Sequence, residues 1–269
     1  MSVTELKKIF EKNDIIIYGA GYVAESFFRA LQVQNVSDRI LCFAVSDEKN
    51  AYGEIHGKPI RVIDELLERK DVYICIAVHE VLKEECIEHL VKLGINKYIW
   101  VTPYIFEMIL GIPLHRHIKI DINDIIKHQR HDDYNIAVRY SAIENYYKKN
   151  DIGYNIYVKA QWGKCEEDTA KKRLASFVRL IDSWQKIGYQ EESSLVIDSE
   201  FRMVDGAHRL SLARYHEMKY IYCDVFPYSE NYNILVRENS YLSMQMLEQS
   251  GLQAYELEAI EKIQVKIRG

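Results

Sequence analysis

The chain has 269 residues, of which 48% are hydrophobic and 28% charged, the balance of a globular protein and not of a disordered one. Thirty-five Lys and Arg stand against 40 Asp and Glu, a net charge of -5, so a whole-molecule basic field for nucleic acid or an anionic membrane is excluded. No apolar run approaches the ~20 residues that cross a bilayer.

The N-terminal stretch MSVTELKKIFEKND is charged and amphipathic, unlike a signal peptide. Five scattered cysteines without a CxxC pair read as reduced thiols. Together these features lead us to expect a cytoplasmic α/β protein that acts on a small molecule, with no nucleic-acid or membrane partner.

Strand-like and helix-like periods alternate over the first 110 or so residues. Asp14–Tyr18 is a continuous apolar run that stops at glycines, as a buried parallel strand does. A helix follows from Tyr22 to Leu31, then a strand at Ile40–Val45 and a short helix at Asp64–Glu68. Val72–Val78 reads as a third strand, Val81–Leu93 as a helix, and Ile95–Val101 as a fourth strand ended by Pro103. Such alternation predicts a doubly wound parallel sheet over residues 1–112.

The pattern breaks near Gly111–Pro113. Residues 113–150, rich in His and Tyr with one helix at Asn135–Lys148, read as a helical junction. A second unit, 151–269, opens with a strand at Tyr154–Ala160. A long helix, Asp168–Ile187, follows and stops at Gly188. Next come a strand at Ser194–Ile197, a helix at Ala207–His216, a strand at Tyr220–Phe226 and two C-terminal helices. The amphipathic Tyr255–Ile267 stretch packs on its own domain or on a second copy in a homodimer.

Gly19, Gly21 and Ala24 form G-x-G-x-x-A between strand and helix. Glycines there let a phosphate approach backbone N–H groups at a helix N-terminus. Asp47, just past the second strand, stands where an acid would meet a ribose hydroxyl. The same glycines also make a tight turn with no ligand. Tyr52–Leu66 (YGEIHGKPIRVIDEL), VYICIAVHE and LVKLGIN resemble the Rossmann-like N-terminal domain of PglD/NeuD-type sugar acyltransferases. The resemblance implies a nucleotide or nucleotide-sugar site and a setting in surface-polysaccharide or sugar metabolism. It does not imply acyl transfer, because the left-handed β-helix repeats of that family are missing. NAD bound by Gly19, Gly21 and Asp47 is a weaker alternative, since nothing later in the chain supplies a hydride-transfer site.

Asp205-Gly206-Ala207-His208-Arg209 opens the helix after a strand and a turn. Free N–H groups and the dipole at a helix start favour an anion. Gly206 permits close approach, while His208 and Arg209 add donors suited to phosphate. Asp205 is either a helix cap or a ligand for Mg²⁺ shared with the phosphates.

This segment, with Phe177–Tyr189 and Leu195–Val225, resembles the ParB/sulfiredoxin-like fold, and within it the free-serine-kinase type with its D-G-H-H-R motif. The resemblance implies an α+β domain and a kinase using ATP or ADP with Mg²⁺. Asp205, His208 and Arg209 match that motif, and Ala207 replaces its first His. The kinases place a catalytic glutamate upstream, and Glu166 or Glu167 lies close to that place, with Glu200 as a competitor. Acids in a first helical turn also serve the helix dipole alone. Lys159 and Lys164 could neutralise phosphate. Binding of nucleotide without turnover, as a regulatory or scaffold protein, is the alternative to kinase chemistry. His115, His117, His128 and His131 read as solvated linker residues, not a metal site.

Overall fold

The computed structural model describes residues 1–66, 72–78, 82–161, 167–235 and 241–269. The chain divides into two compact units, Met1–Ile112 and Pro113–Gly269, both mixed α/β.

The first unit runs α1 (Val3–Lys12), β1 (Asp14–Tyr18), α2 (Tyr22–Val33), β2 (Ile40–Val45), β3 (Glu54–Ile55), β4 (Lys58–Val62), β5 (Val72–Ile76), α3 (Lys83–Lys92), β6 (Tyr98–Trp100) and α4 (Ile105–Leu110). Ser2 and Glu5 start α1 with a reciprocal capping box. The sheet order is β3-β4-β2-β1-β5-β6. β1 lies parallel to β2 and β5, and β4 and β6 extend the sheet in parallel on either side. Among the described residues of this sheet only β3 is antiparallel, in a hairpin with β4.

Helices cover both faces, which is why β1 is apolar at successive positions. Ile16, Tyr18, Cys42 and Ala44 pack with Cys86 and Leu90 of α3. On the other face Phe43 meets Phe28 of α2, ring centroids 5.9 Å apart. The chain builds outward from β1 through β2 to β4, then returns to β1's other side, so the carboxyl end of β1 marks the reversal. The β3–β4 hairpin and α4 were not anticipated from periodicity. The expected Asp64–Glu68 helix is a 3-10 turn at Ile63–Leu66, and Glu68 and Val81 lie outside the described residues.

The second unit contains β7 (His115–Asp121), α5 (Ile122–His128), α6 (Asn135–Tyr146), α7 (Gly153–Lys159), α8 (Glu167–Ile187), β8 (Leu195–Asp198), β9 (Met203–Asp205), α9 (Ala207–Tyr215), β10 (Tyr220–Phe226), α10 (Tyr232–Leu235), α11 (Met244–Gln249) and α12 (Ala254–Arg268). Its sheet is mixed, in the order β7-β10-β8-β9. β10 is parallel to β8 and antiparallel to β7, and β8 is antiparallel to β9. One apolar core joins these strands to α5 through α9, α11 and α12.

Two expectations are corrected here. Tyr154–Ala160 is not a strand but the body of α7. Its β-branched and aromatic residues suggested extension, yet Gly153, Ile156, Tyr157 and Ala160 are buried at helical spacing, and packing outweighs propensity. Residues 113–150 are not a junction. They supply edge strand β7, helix α5 and the deeply buried α6, and so belong to the second unit's sheet and core. Among the described residues no helix is long and apolar enough to cross a membrane.

Candidate functional site

In the first unit, the turn from β1 to α2 is shaped by its neighbours. Gly19 has φ +132°, and a Cβ there would lie 2.5 Å from the Ala77 carbonyl oxygen. Its N–H donates to the Ala44 carbonyl at 2.8 Å. Packing therefore demands this glycine. Gly21, the N-cap of α2, has an ordinary φ of -99° and no side-chain cap. Nothing lies within 4 Å of where its Cβ would stand. Asp47 is exposed and its carboxylate accepts the Lys49 N–H at 2.9 Å, capping a short turn.

In the second unit, β9 ends at Asp205 and α9 begins at Ala207, with Gly206 between them as an αL N-cap at φ 107° and ψ 17°. A Cβ on Gly206 would lie 2.3 Å from Leu195 Cδ2, so the turn is pressed against the core strand β8. Arg209 reaches back from the first turn of α9. Its Nη1 donates to Ser193 Oγ and to the Ser194 carbonyl, both at 2.7 Å, and its Nη2 pairs with Asp205 at 3.1 Å. Arg209 thus ties α9 to the start of β8 and engages the Asp205 carboxylate.

His208 points the other way. Its Nε2 is hydrogen-bonded to the Tyr157 hydroxyl at 2.9 Å, and its ring packs on Phe177 at 4.4 Å between centroids. Burial, then the positive charges of Arg139, Arg209 and Arg173, hold its pKa well below the ordinary histidine range. It is a neutral imidazole at pH 7.

Arg139 and Arg173 were not anticipated from the motif. Arg139 sits in α6 and donates from Nη1 to the Asn135 carbonyl at 2.9 Å and to Asn135 Oδ1 at 3.1 Å. Its Nε is buried without a partner among the described residues. Burial lowers its pKa, but a guanidinium starts so far above neutrality that it keeps its charge. Arg173, exposed on α8, donates to Gln161 Oε1 at 3.1 Å. Among the described residues neither arginine forms an ion pair with a carboxylate. Two guanidinium groups without carboxylate partners thus bear on His208 at the first turn of α9. The sequence held one signal: Arg139 is a lone cation among buried Ile136, Ala137, Val138, Tyr140, Ala142 and Ile143.

The other described candidates have partners outside this group. Glu167 begins α8, exposed and paired with Lys171 at 2.7 Å. Glu166 and Lys164 lie outside the described residues. The Glu200 N–H donates to Asp198 in a turn, and Lys159 is paired with the fully buried Glu256 at 2.9 Å. Among the described residues no three of His, Cys, Asp and Glu gather to hold a metal ion. His117 stacks on Tyr222 and His128 on Phe201, while His131 lies against Arg268, so the histidines decorate a strand, a helix and a turn of the second unit and do not line a linker.

The chain matches no family model, no curated protein and no solved structure, so the chemistry of the α9 turn rests on its own residues.

Proposed function

We propose that the second unit binds the phosphate chain of a nucleotide at the first turn of α9 and transfers a phosphoryl group to the hydroxyl of a small molecule. The observation that carries this reading is the pair Arg139 and Arg173, cations without carboxylate partners beside a neutral His208 at a helix N-terminus. A buried guanidinium Nε without an acceptor costs about 1–3 kcal/mol. A phosphate at this turn would meet the exposed Arg173 guanidinium and the positive field of Arg139. The uncapped amides of α9 and its dipole add to the same field.

In this reading Arg139 and Arg173 neutralise the phosphates, and Arg209 holds Asp205 in place. Mg²⁺ would enter with the nucleotide. A single carboxylate already paired with Arg209 is a poor resident metal site, and Mg²⁺ commonly rests on phosphates and waters with one or two carboxylates. The ParB/sulfiredoxin-like, free-serine-kinase-type pattern at Asp205, His208 and Arg209 supports ATP or ADP as the nucleotide. The Rossmann-like reading of the first unit, and with it a role in surface-polysaccharide or sugar metabolism, is supported by its strand order and by the acyltransferase-like segments.

Calorimetric titration of ATP, ADP, CTP and NAD(H) with Mg²⁺, on wild type and Arg173→Ala, tests the site. Adenine-nucleotide binding lost in the variant is expected. NAD(H) binding that survives the variant would move the function to the Gly19–Gly21 turn. A second reading, binding without turnover, is favoured by one observation: Glu167 is committed to Lys171. Nucleotide binding without phosphate release or transfer in an acceptor screen would select it.

A further inference from the structure

We propose that the first unit carries a second reactive centre, in which Ser46 is a nucleophile toward an uncharged carboxylic ester and its proton is drawn through Tyr18 to the His89–Asp64 pair. Four separate segments meet there: the last residue of β1, the residue after β2, helix α3 and the 3-10 turn after β4. Tyr18 Oη lies 2.5 Å from Ser46 Oγ and 2.9 Å from His89 Nδ1. His89 Nε2 lies 3.0 Å from Asp64 Oδ1.

The chemistry of the groups sets the direction of each bond. A carboxylate only accepts, so His89 carries its proton on Nε2 and Nδ1 is the open base. Tyr18 donates to Nδ1, and its oxygen then accepts from the Ser46 hydroxyl. A buried tyrosine hydroxyl needs one partner to be satisfied. This one, on a side chain only 2% exposed, has a base on one side and a solvent-facing serine on the other. Cys86 also faces the Tyr18 hydroxyl, but burial raises its pKa and keeps it a thiol at neutral pH. The order acid, imidazole, hydroxyl, hydroxyl is that of a nucleophile activated through one intervening phenol.

In the first step Ser46 Oγ bonds to the ester carbonyl carbon. Its proton passes to the Tyr18 oxygen as the Tyr18 proton passes to His89 Nδ1, and Asp64 faces the imidazolium. The carbon–oxygen bond to the alcohol then breaks, and Tyr18 protonates the departing alkoxide while recovering a proton from His89. Water repeats the sequence on acyl-Ser46 and releases the acid. Asp47 and Glu48 follow Ser46 directly and are exposed, so their charges disfavour anionic esters.

The test treats the full chain with a fluorophosphonate–rhodamine probe and with p-nitrophenyl acetate. One label mapped to Ser46 by mass spectrometry is expected, with a burst of p-nitrophenol, both absent in Ser46→Ala. That variant alters an exposed hydroxyl and should melt as wild type does. Tyr18→Phe keeps the packed ring and should slow labelling about 100-fold. His89→Gln removes the group that accepts the Tyr18 proton and should also slow labelling about 100-fold. ATP titration should be unchanged in Ser46→Ala, separating this centre from the α9 site. A native protein that is not labelled, a label elsewhere, or wild-type labelling of Tyr18→Phe would overturn the proposal.

Discussion

The Gly19–Gly21 turn of the first unit and the Gly206 turn of the second both lead a strand into a helix, and in the sequence both read as phosphate cradles. Their surroundings differ. Gly19 is required because the Ala77 carbonyl crowds it, and Gly21 faces open space with Asp47 turned to a local cap. Gly206 is equally required by Leu195, yet two cations without carboxylate partners and a neutral histidine gather at the helix it starts. A glycine at a strand–helix turn is thus explained by packing in both units. What separates the two is the cluster of arginines around the second turn.

Alanine at each glycine breaks the comparison most sharply. Gly19→Ala sets a Cβ against a backbone oxygen at φ +132° and should cost about 4 kcal/mol, strain and overpacking together. Gly206→Ala meets the buried Leu195 side chain, which can shift slightly, and should cost about 3 kcal/mol. Gly21→Ala, at an ordinary φ in open space, should cost about 0.5 kcal/mol. Urea midpoints at constant m-value read all three, and equal losses at Gly19 and Gly21 would contradict the packing account.

Charge substitutions sharpen the other half. Arg173→Ala should leave stability unchanged, since the side chain is exposed, while weakening ATP binding by about 10- to 100-fold, the equivalent of about 1.4–2.8 kcal/mol. Arg139→Met removes a guanidinium whose Nε has no partner, and it should weaken binding with stability changed by no more than about 1 kcal/mol. Loss of stability with binding intact would make Arg139 a structural residue.

How much of this was legible in the sequence depends on where the information lay. β1, β2, α8, α9 and β10 were readable because their patterns are local: a continuous apolar run for β1, a core stripe through Phe177, Ile181 and Trp184 for α8. α7 was misread because Tyr154, Ile156, Tyr157 and Val158 carry strand propensity, and only its burial spacing reveals the helix. β7 was hidden because an edge strand of exposed His, Arg and Lys has no apolar period, and it is recognisable only through its pairing with β10. The DGAHR turn was visible as a motif, but the roles inside it were not. Arg209 has partners at Ser193 and Ser194, and Arg139 and Arg173 lie 66 and 32 residues before Asp205 in the chain. Long-range convergence of this kind leaves no local signature beyond the lone cation on the apolar helix α6.

The neutral state of His208 gives a smaller, pH-dependent effect. Its folded pKa lies well below the ordinary 6.5, so in the window between them the unfolded chain binds the proton and the folded one does not. Stability is full above about pH 6.5 and falls by about 1.4 kcal/mol per pH unit as the pH drops toward the folded value. His216, lowered by burial and by Lys149, adds to the same slope. The difference between wild type and His208→Gln therefore isolates the buried residue: the variant should show a shallower loss between pH 6.5 and 5 in urea melts.

The smallest expected effect concerns Glu167. As the first residue of α8 its carboxylate complements the helix dipole, and its ion pair with Lys171 lies one turn along an exposed surface. A base for phosphoryl transfer must instead reach the acceptor hydroxyl, and this carboxylate is turned to Lys171 along its own helix. Glu167→Gln should therefore leave both the melting temperature and any ATP-dependent transfer within about twofold of wild type. A loss of turnover of about 100-fold with nucleotide affinity unchanged would show that the Lys171 pair opens in the working enzyme and that Glu167 is the base. Retained turnover in Glu167→Gln, combined with its loss in Glu166→Gln, would assign the role one residue earlier. If both variants bind ATP and no acceptor is phosphorylated by the wild type, the α9 site is a nucleotide sensor, and Arg139 and Arg173 serve recognition alone.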